Sequence, residues 1–102
     1  MNKKVEIQQG DLILVEDTIP EDARSVKTGK SHILLRGEGV NTHVIEGDFD
    51  LYELDGTLYM SVRTGELVHE EHGVVTVPPK TYRRVIEREF DYEEMEARNV
   101  ED

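Results

Sequence analysis

Residues 49–63, Phe-Asp-Leu-Tyr-Glu-Leu-Asp-Gly-Thr-Leu-Tyr-Met-Ser-Val-Arg, decide the fold class of this chain. Two runs that alternate apolar with polar residues flank the dipeptide Asp55-Gly56. Asp and Gly tolerate the positive φ angles of a type I′ turn, and such a dipeptide between β-type runs is typical of a hairpin. The stretch therefore predicts two antiparallel strands, 49–54 and 57–63, joined by a two-residue turn.

Short β-type runs continue on both sides of this hairpin, and each is bounded by glycine, proline or acidic turn residues. Gly47-Asp48 and Thr64-Gly65 are interpreted as ends of strands. We predict six further strands, at residues 11–16, 31–36, 42–46, 66–69, 74–77 and 81–90. The last of these also fits a helical face, but its Thr, Tyr, Val, Ile and Phe residues favour a strand.

One short helix is expected near the end of the chain. Asp91 and Glu94 resemble a capping box, which favours a helix over residues 92–98. About eight short strands and at most one helix predict an all-β domain, either a small barrel or a two-sheet roll.

Length and composition limit the class of protein. The chain has 102 residues, which fits a single domain over residues 1–102 with an acidic tail at 91–102. It contains no cysteine, which excludes disulfide frameworks, thiolate zinc sites and cysteine nucleophiles. The first residues lack the apolar core of a signal peptide, and no run is long enough to span a bilayer. We therefore expect a soluble cytoplasmic protein.

The net charge of −11 bears on the choice of partner. Such a charge repels the phosphate backbone of nucleic acids and anionic membranes, so we expect neither as a direct partner. The partners that remain are a small ligand or another protein, with a homo-oligomer left open.

The histidines form the first candidate site. His69 and His72 lie three residues apart in a polar segment between two strands, and His43 belongs to another strand. A tight turn would let all three imidazoles meet at one rim of the fold, which we call the histidine rim. Imidazole is a preferred ligand of zinc and nickel, and nearby carboxylates support such ligands. The residues of this prediction are His43, His69 and His72 as ligands and Glu70 and Glu71 as supporting carboxylates. The spacing leaves open that they are ordinary polar turn and strand residues.

A basic segment forms the second candidate site. From Ala23 through Gly37 the chain has no acidic residue. Four cations there provide a docking place for a phosphate or carboxylate ligand: Arg24, Lys27, Lys30 and Arg36. The alternative is a solvated loop with these side chains in water.

The acidic end of the chain is the third feature. Residues 87–102 hold eight acids and two arginines, which is −6 of the total charge of −11. A block of like charge can occupy a basic groove on a partner protein, and otherwise it is a solvated terminus.

Several motifs together resemble a family of short uncharacterised prokaryotic and phage proteins. The segments that carry the resemblance are Asn41-Thr42-His43-Val44-Ile45, residues 51–56, His69-Glu70-Glu71-His72-Gly73, Val77-Pro78-Pro79-x-x-Tyr82-Arg83 and residues 88–92. Asn41 departs from the family pattern, which often has a histidine there, and Lys80 replaces a usual glycine. The resemblance implies the architecture and the histidine group but names no activity. The family's His-x-His on a strand, of which only His43 is present here, is together with the Pro-Pro turn also similar to the pattern of cupins.

These observations support three classes of function. The first is a small binding module that holds a metal or small ligand at the histidine rim. The second is a cupin-like metal-dependent enzyme at the same rim, which would need an open metal position and a pocket. The third is an acidic, phage-type inhibitor that acts on a host partner or sequesters a small anion. Metal content separates the first two classes from the third, and turnover separates the enzyme from the module.

Overall fold

The computed structural model describes residues 4–36 and 42–86, and every regular element in these ranges is a β-strand. The seven strands are β1 Glu6–Gln9, β2 Leu12–Glu16, β3 Arg24–Arg36, β4 Thr42–Leu54, β5 Thr57–Val68, β6 Val75–Val77 and β7 Thr81–Ile86. The all-β class predicted from the sequence is confirmed. The expected helix at 92–98 and the acidic tail lie outside the described residues, as do residues 87–90 of the last predicted strand.

All pairings are antiparallel and join the strands into one sheet of order β1-β2-β7-β5-β4-β3. β6 pairs with the later part of β5, beyond the segment that pairs with β7. The sheet rolls over, because β1 contacts β6 and Arg84 on β7 donates to the Leu34 carbonyl oxygen on β3 (2.8 Å). The structure is therefore a rolled single sheet with β1 and β3 as outer strands, and not a closed barrel or two separate sheets.

The hairpin between β4 and β5 is the one that the sequence predicts. Asp55 and Gly56 both have positive φ, 52° and 80°, and Leu54 pairs with Thr57 across the turn. These angles belong to a type I′ turn, whose twist matches that of the flanking strands. The prediction from Asp-Gly is confirmed.

The glycine-containing dipeptides at 47–48 and 64–65 do not end strands, which corrects the sequence interpretation. Gly47 and Gly65 are paired inside the long strands β4 and β5, and the register shifts between Asp48 and Phe49. A Cβ on Gly47 would collide with the Thr64 carbonyl oxygen, so glycine here allows a close approach of two backbones. The dipeptides therefore mark a bulge, which bends paired strands without ending them.

The basic segment is also more regular than predicted. The sequence pattern predicts a strand only at residues 31–36, whereas β3 runs unbroken over Arg24–Arg36 and pairs with β4. Its register shifts three times, between Ser25 and Lys27, between Gly29 and Ser31, and between Ile33 and Leu35. Most of β3 is exposed and is held in place by pairing with β4 rather than by burial. Its first half therefore lacks the apolar pattern by which a strand is predicted from sequence.

The core lies on the inner face of the roll. Six of the seven strands contribute fully or nearly buried hydrophobic side chains: Leu12, Leu14, Leu34, Ile45, Phe49, Leu51, Leu58, Met60, Val62, Leu67, Val77 and Tyr82. Burial of each large aliphatic or aromatic side chain contributes about 1.5–3 kcal/mol to folding. The Tyr82 hydroxyl donates to the Pro78 carbonyl oxygen (2.7 Å), which satisfies its polar end. No helix capable of spanning a bilayer occurs in the described part of the chain.

Candidate functional site

Three parts of the chain meet at one end of the roll and position the candidate site. They are the turn between β1 and β2, the first residues of β4, and the segment between β5 and β6. The first is a two-residue hairpin at Gly10-Asp11, with Gln9 paired to Leu12. Gly10 has a φ of +59° at the first central position of the turn, where the backbone favours glycine.

His43 is buried on β4 and is tied to β1. Its side chain is 5% exposed and lies on the same face of β4 as the core residue Ile45. His43 Nδ1 lies 2.9 Å from Gln9 Oε1. Gln9 is 3% exposed, and its Nε2 donates to the carbonyl oxygens of Leu67 (3.0 Å) and Gly73 (2.8 Å). Gln9 therefore links β1 to β4, to β5 and to the segment that follows β5.

This network fixes the tautomer of His43. The amide nitrogen of Gln9 faces two carbonyl oxygens, so the amide oxygen must face His43. The ring then donates from Nδ1–H, and its Nε2 carries the lone pair. Every buried side-chain nitrogen and oxygen of the described residues has a hydrogen-bond partner. His43 Nε2 makes no hydrogen bond in these ranges, so this atom retains contact with solvent and is available to a ligand.

His69 holds the turn that carries His72. Its Nδ1 accepts hydrogen bonds from the backbone N–H groups of Glu71 (3.0 Å) and His72 (3.2 Å). A ring nitrogen that accepts hydrogen bonds is unprotonated, so the neutral His69 ring carries its hydrogen on Nε2. The neutral rings of His43 and His69 are thus opposite tautomers, with the hydrogen on Nδ1 in His43 and on Nε2 in His69.

The structure brings the three predicted histidines together. The ring centres of His43 and His69 are 4.2 Å apart, those of His69 and His72 are 4.6 Å apart, and those of His43 and His72 are 6.0 Å apart. Gly10 lies against the group: a Cβ there would be 2.7 Å from His72 Nε2 and 3.1 Å from His43 Cε1. The missing side chain of Gly10 leaves the space in which these two rings meet.

Burial and neighbouring charges keep His43 neutral. Burial is the main cause that lowers its pKa, and the nearby imidazoles of His69 and His72 lower it further. The carboxylates of Asp11 and Glu70 act in the opposite direction and more weakly. A neutral imidazole is the form that binds metal ions.

The two predicted supporting carboxylates have different positions. The Glu70 carboxylate accepts the N–H of Thr42 (3.2 Å), next to His43 in the chain. Hydrogen bonds from its own backbone N–H and from Thr42 lower the pKa of Glu70. Glu71 contributes its backbone N–H to His69, and its side chain is exposed.

The three rings are neighbours but not a preformed set of ligands. Among residues 4–36 and 42–86, no group of three or more histidine or acidic side chains has the geometry to hold a metal ion. One chemical reason is that Nδ1 of His69 already accepts hydrogen bonds from the turn, so this ring nitrogen is not available to an ion.

The four cations of the basic segment are not brought together. They lie along β3, whose two ends are roughly 40 Å apart at about 3.3 Å per residue. Arg24 pairs with Glu53 (2.5 Å), and Lys27 Nζ donates to the Ser31 carbonyl oxygen (2.8 Å). Lys30 and Arg36 are exposed on the same strand. One small anion cannot contact all four.

A groove of about 480 Å³ lies elsewhere on the roll. The bulge residues Gly47 and Gly65 and the turn residues Pro78 and Pro79 line it. None of the three histidines belongs to its lining. The groove and the histidine rim are therefore separate features.

Gln9 and Gly10 are the parts of the site that sequence reasoning missed. The signal for Gly10 was present, because Gly-Asp between two β-type runs is a hairpin dipeptide. Gln9 gave no signal, because its partners are 34 to 64 residues away in the chain.

A family model described as a domain of unknown function, DUF8820, matches residues 8–87. The matched segment contains Gln9, Gly10 and the whole histidine rim. No curated protein and no solved structure matches the chain.

Proposed function

This chain belongs to DUF8820, a family of domains of unknown function, and from that premise we propose that it is a metal-binding module. Its ligand is a divalent transition metal, zinc or nickel, held at the histidine rim. The observation that supports this most strongly is the convergence of His43, His69 and His72 from two separate segments of the chain.

The three rings lie close enough together to reach one ion, and a shift of the rings from their present positions would complete its coordination. A zinc–nitrogen bond of about 2.0–2.1 Å places a ring centre roughly 3.2 Å from the ion. Two rings on one ion therefore have centres at most ~6.5 Å apart. The observed separations of 4.2, 4.6 and 6.0 Å all lie below this limit.

The surroundings of His43 also resemble those of metal ligands. A ligating histidine commonly donates its other ring N–H to an oxygen, which fixes the tautomer and the ring orientation. Gln9 Oε1 provides that oxygen for His43 at 2.9 Å. The lowered pKa of His43 keeps the ring neutral at pH 7, so no proton has to leave when a metal binds.

We propose a binding module in preference to an enzyme. A cupin-like reaction would need a substrate pocket at the metal, and the groove of about 480 Å³ is not lined by the histidine rim. The inhibitor alternative depends on the acidic tail, which lies outside the described residues.

Thermal unfolding with and without metal tests the proposal. Zinc at 100 times its dissociation constant adds about 2.7 kcal/mol when it binds only the folded state. In a domain of this size that raises the Tm by roughly 10–20 °C. The measurement is a melting curve of the chelator-treated protein, repeated with zinc and with nickel.

A matched pair of variants locates the site. His72→Ala should remove most of the increase in Tm, whereas His32→Ala should leave it, because His32 lies on β3 outside the histidine rim. A wild-type Tm that neither metal changes would show that the proposal is wrong.

A further inference from the structure

We infer that the metal site has two histidine ligands, His43 and His72, and that His69 is a positioning residue that does not bind the ion. This inference rests on the proposed function and divides the roles within the same site. It follows from the hydrogen bonds that ring nitrogens of His43 and His69 make in the structure.

His43 is prepared to bind through Nε2. Gln9 donates from its Nε2 to the Leu67 and Gly73 carbonyl oxygens, so its Oε1 must accept from His43 Nδ1. The lone pair of the His43 ring is therefore on Nε2. Because Gln9 and His43 are both buried, the ring cannot turn over without breaking this network.

His69 is prepared for a different task. A neutral imidazole has one lone pair, and that of His69 accepts the N–H groups of Glu71 and His72 through Nδ1. Its Nε2 carries a hydrogen, which prevents coordination at that atom. Coordination there would require the proton to move to Nδ1, where it would face the two N–H donors of the turn. The turn that presents His72 would then lose both hydrogen bonds.

His72 completes the pair. Its Nε2 lies 2.7 Å from the point where a Cβ on Gly10 would be, and His43 Cε1 lies 3.1 Å from the same point. Within the described ranges no hydrogen bond engages the His72 ring, so its nitrogens are available. The two ring centres are 6.0 Å apart, wider than the ~5.2 Å of two imidazoles at the tetrahedral angle on one zinc ion, so the exposed His72 ring moves toward His43 on binding. Gly10 provides the space between them.

A two-histidine site has consequences for the ligands that complete it. Zinc in proteins is usually four-coordinate, so two positions remain for water or for an exogenous anion. The Nε2–H of His69, whose ring centre is within 4.6 Å of both other rings, is a hydrogen-bond donor next to those positions.

Zinc affinities of three single variants test this division. His43→Gln and His72→Gln each remove a ligand and should weaken zinc binding by at least ~30-fold. His69→Asn keeps an oxygen that can accept the N–H groups of the turn, so its affinity should remain within ~5-fold of the wild type. Isothermal titration with zinc chloride gives the three affinities.

Nitrogen-15 NMR of the wild-type protein reports which ring nitrogens carry a hydrogen and which bind zinc. It therefore tests the role of His69 independently of any effect of a substitution on folding. In the metal-free protein His69 should carry its hydrogen on Nε2 and His43 on Nδ1. Zinc should then shift the Nε2 resonances of His43 and His72, while His69 keeps its tautomer.

The outcomes separate the two proposals. Zinc binding that is lost equally in all three variants, or a His69 Nε2 that becomes a zinc ligand in the NMR spectrum, overturns the two-ligand assignment and leaves the metal-binding module intact. A wild-type protein that binds no zinc and no nickel overturns both.

Discussion

Gln9 combines burial with complete hydrogen bonding. An amide that is buried without partners costs about 1–3 kcal/mol in proteins, so a side chain that is 3% exposed needs acceptors and donors around it. Gln9 has two carbonyl oxygens for its N–H groups and His43 for its oxygen. The same bonds that make its burial tolerable also set the protonation pattern of the rim.

Gly10 has a positive φ and also lies against the rings of His43 and His72, so a side chain there would affect both the backbone and the histidine rim. Gly10→Ala should lower the free energy of unfolding by about 1–2 kcal/mol, because an alanine at a φ of +59° is strained. The new Cβ would also displace the exposed His72 ring from its position at 2.7 Å. Urea unfolding measures the first effect, and zinc affinity, which should fall, measures the second.

Gly73→Ala is the matched control for this variant. Gly73 has open space around a Cβ and lies in the same group of loops. Its φ is not positive, so alanine should be neutral or stabilising by up to about 1 kcal/mol. Equal stability losses in the two variants would contradict the role assigned to Gly10.

The sequence identified the histidines because they are chemically distinctive and two of them are near one another in the chain. It could not identify Gln9, because glutamine in a polar stretch is usually exposed. It could not divide the histidine roles either. That division depends on which ring nitrogen meets which backbone group, and such contacts are set by the fold of the turn at 69–73.

At the scale of strands, the bulge between β4 and β5 has a strict requirement for glycine at position 47. Gly47→Ala should cost at least ~2 kcal/mol, because its Cβ meets the Thr64 backbone oxygen, which cannot move away without disrupting the pairing. Chemical denaturation of the variant is the measurement.

Gly56→Ala provides the comparison within the same hairpin. Gly56 also has a positive φ, +80°, but a Cβ there meets no atom within 4 Å. Its cost should therefore be the backbone strain alone, about 1–2 kcal/mol. If Gly47→Ala proves no more destabilising than Gly56→Ala, the close backbone approach is not what requires glycine at position 47.

Strands were predicted well where a turn dipeptide or an apolar alternation marked them. The β4–β5 hairpin had both, and its turn was predicted to the residue. Strand length was predicted poorly, since glycine marks a turn and a bulge by the same conformational freedom. Only the pairing partner decides between the two, and one sequence does not show which strands pair.

At the scale of the whole molecule, two histidines make stability depend on pH. Burial is the main cause that lowers the pKa of both His43 and His32, and nearby charges lower each further: His69 and His72 for the first, Lys27 and Arg84 for the second. An unfolded chain takes up protons at these residues near pH 6.5, whereas the folded protein does so only at lower pH.

The free energy of unfolding of the metal-free protein should therefore fall as the pH is lowered from 7.5 through 6.5 to 5. Urea unfolding in the presence of a chelator measures this dependence. His43→Gln should make the decrease smaller, because one of the two contributing groups is removed. A free energy that stays constant over this pH range would contradict the prediction.

At still lower pH the protein also loses the part of its folding stability that depends on ionised aspartates. The pKa values of Asp17, Asp48 and Asp50 are lowered, in each case mainly by a hydrogen bond from an arginine. Stability that depends on these carboxylates is present above about pH 4 and is lost below it. Glu70, whose pKa is also lowered, adds to this loss, so the histidine effect is best measured above about pH 5.5.

The irregular register of β3 has a consequence for how copies of this chain meet. An outer strand of thirteen residues offers a long row of backbone groups to any other strand, and such edges promote aggregation when they are flat and apolar. β3 is neither, because it bulges three times and carries Lys27 and Lys30 in its exposed middle. A second copy that added its own β3 would set bulge against bulge and lysine against lysine. We therefore expect the basic segment to disfavour pairing between two copies at this outer strand of the described sheet, an effect that requires no bound anion.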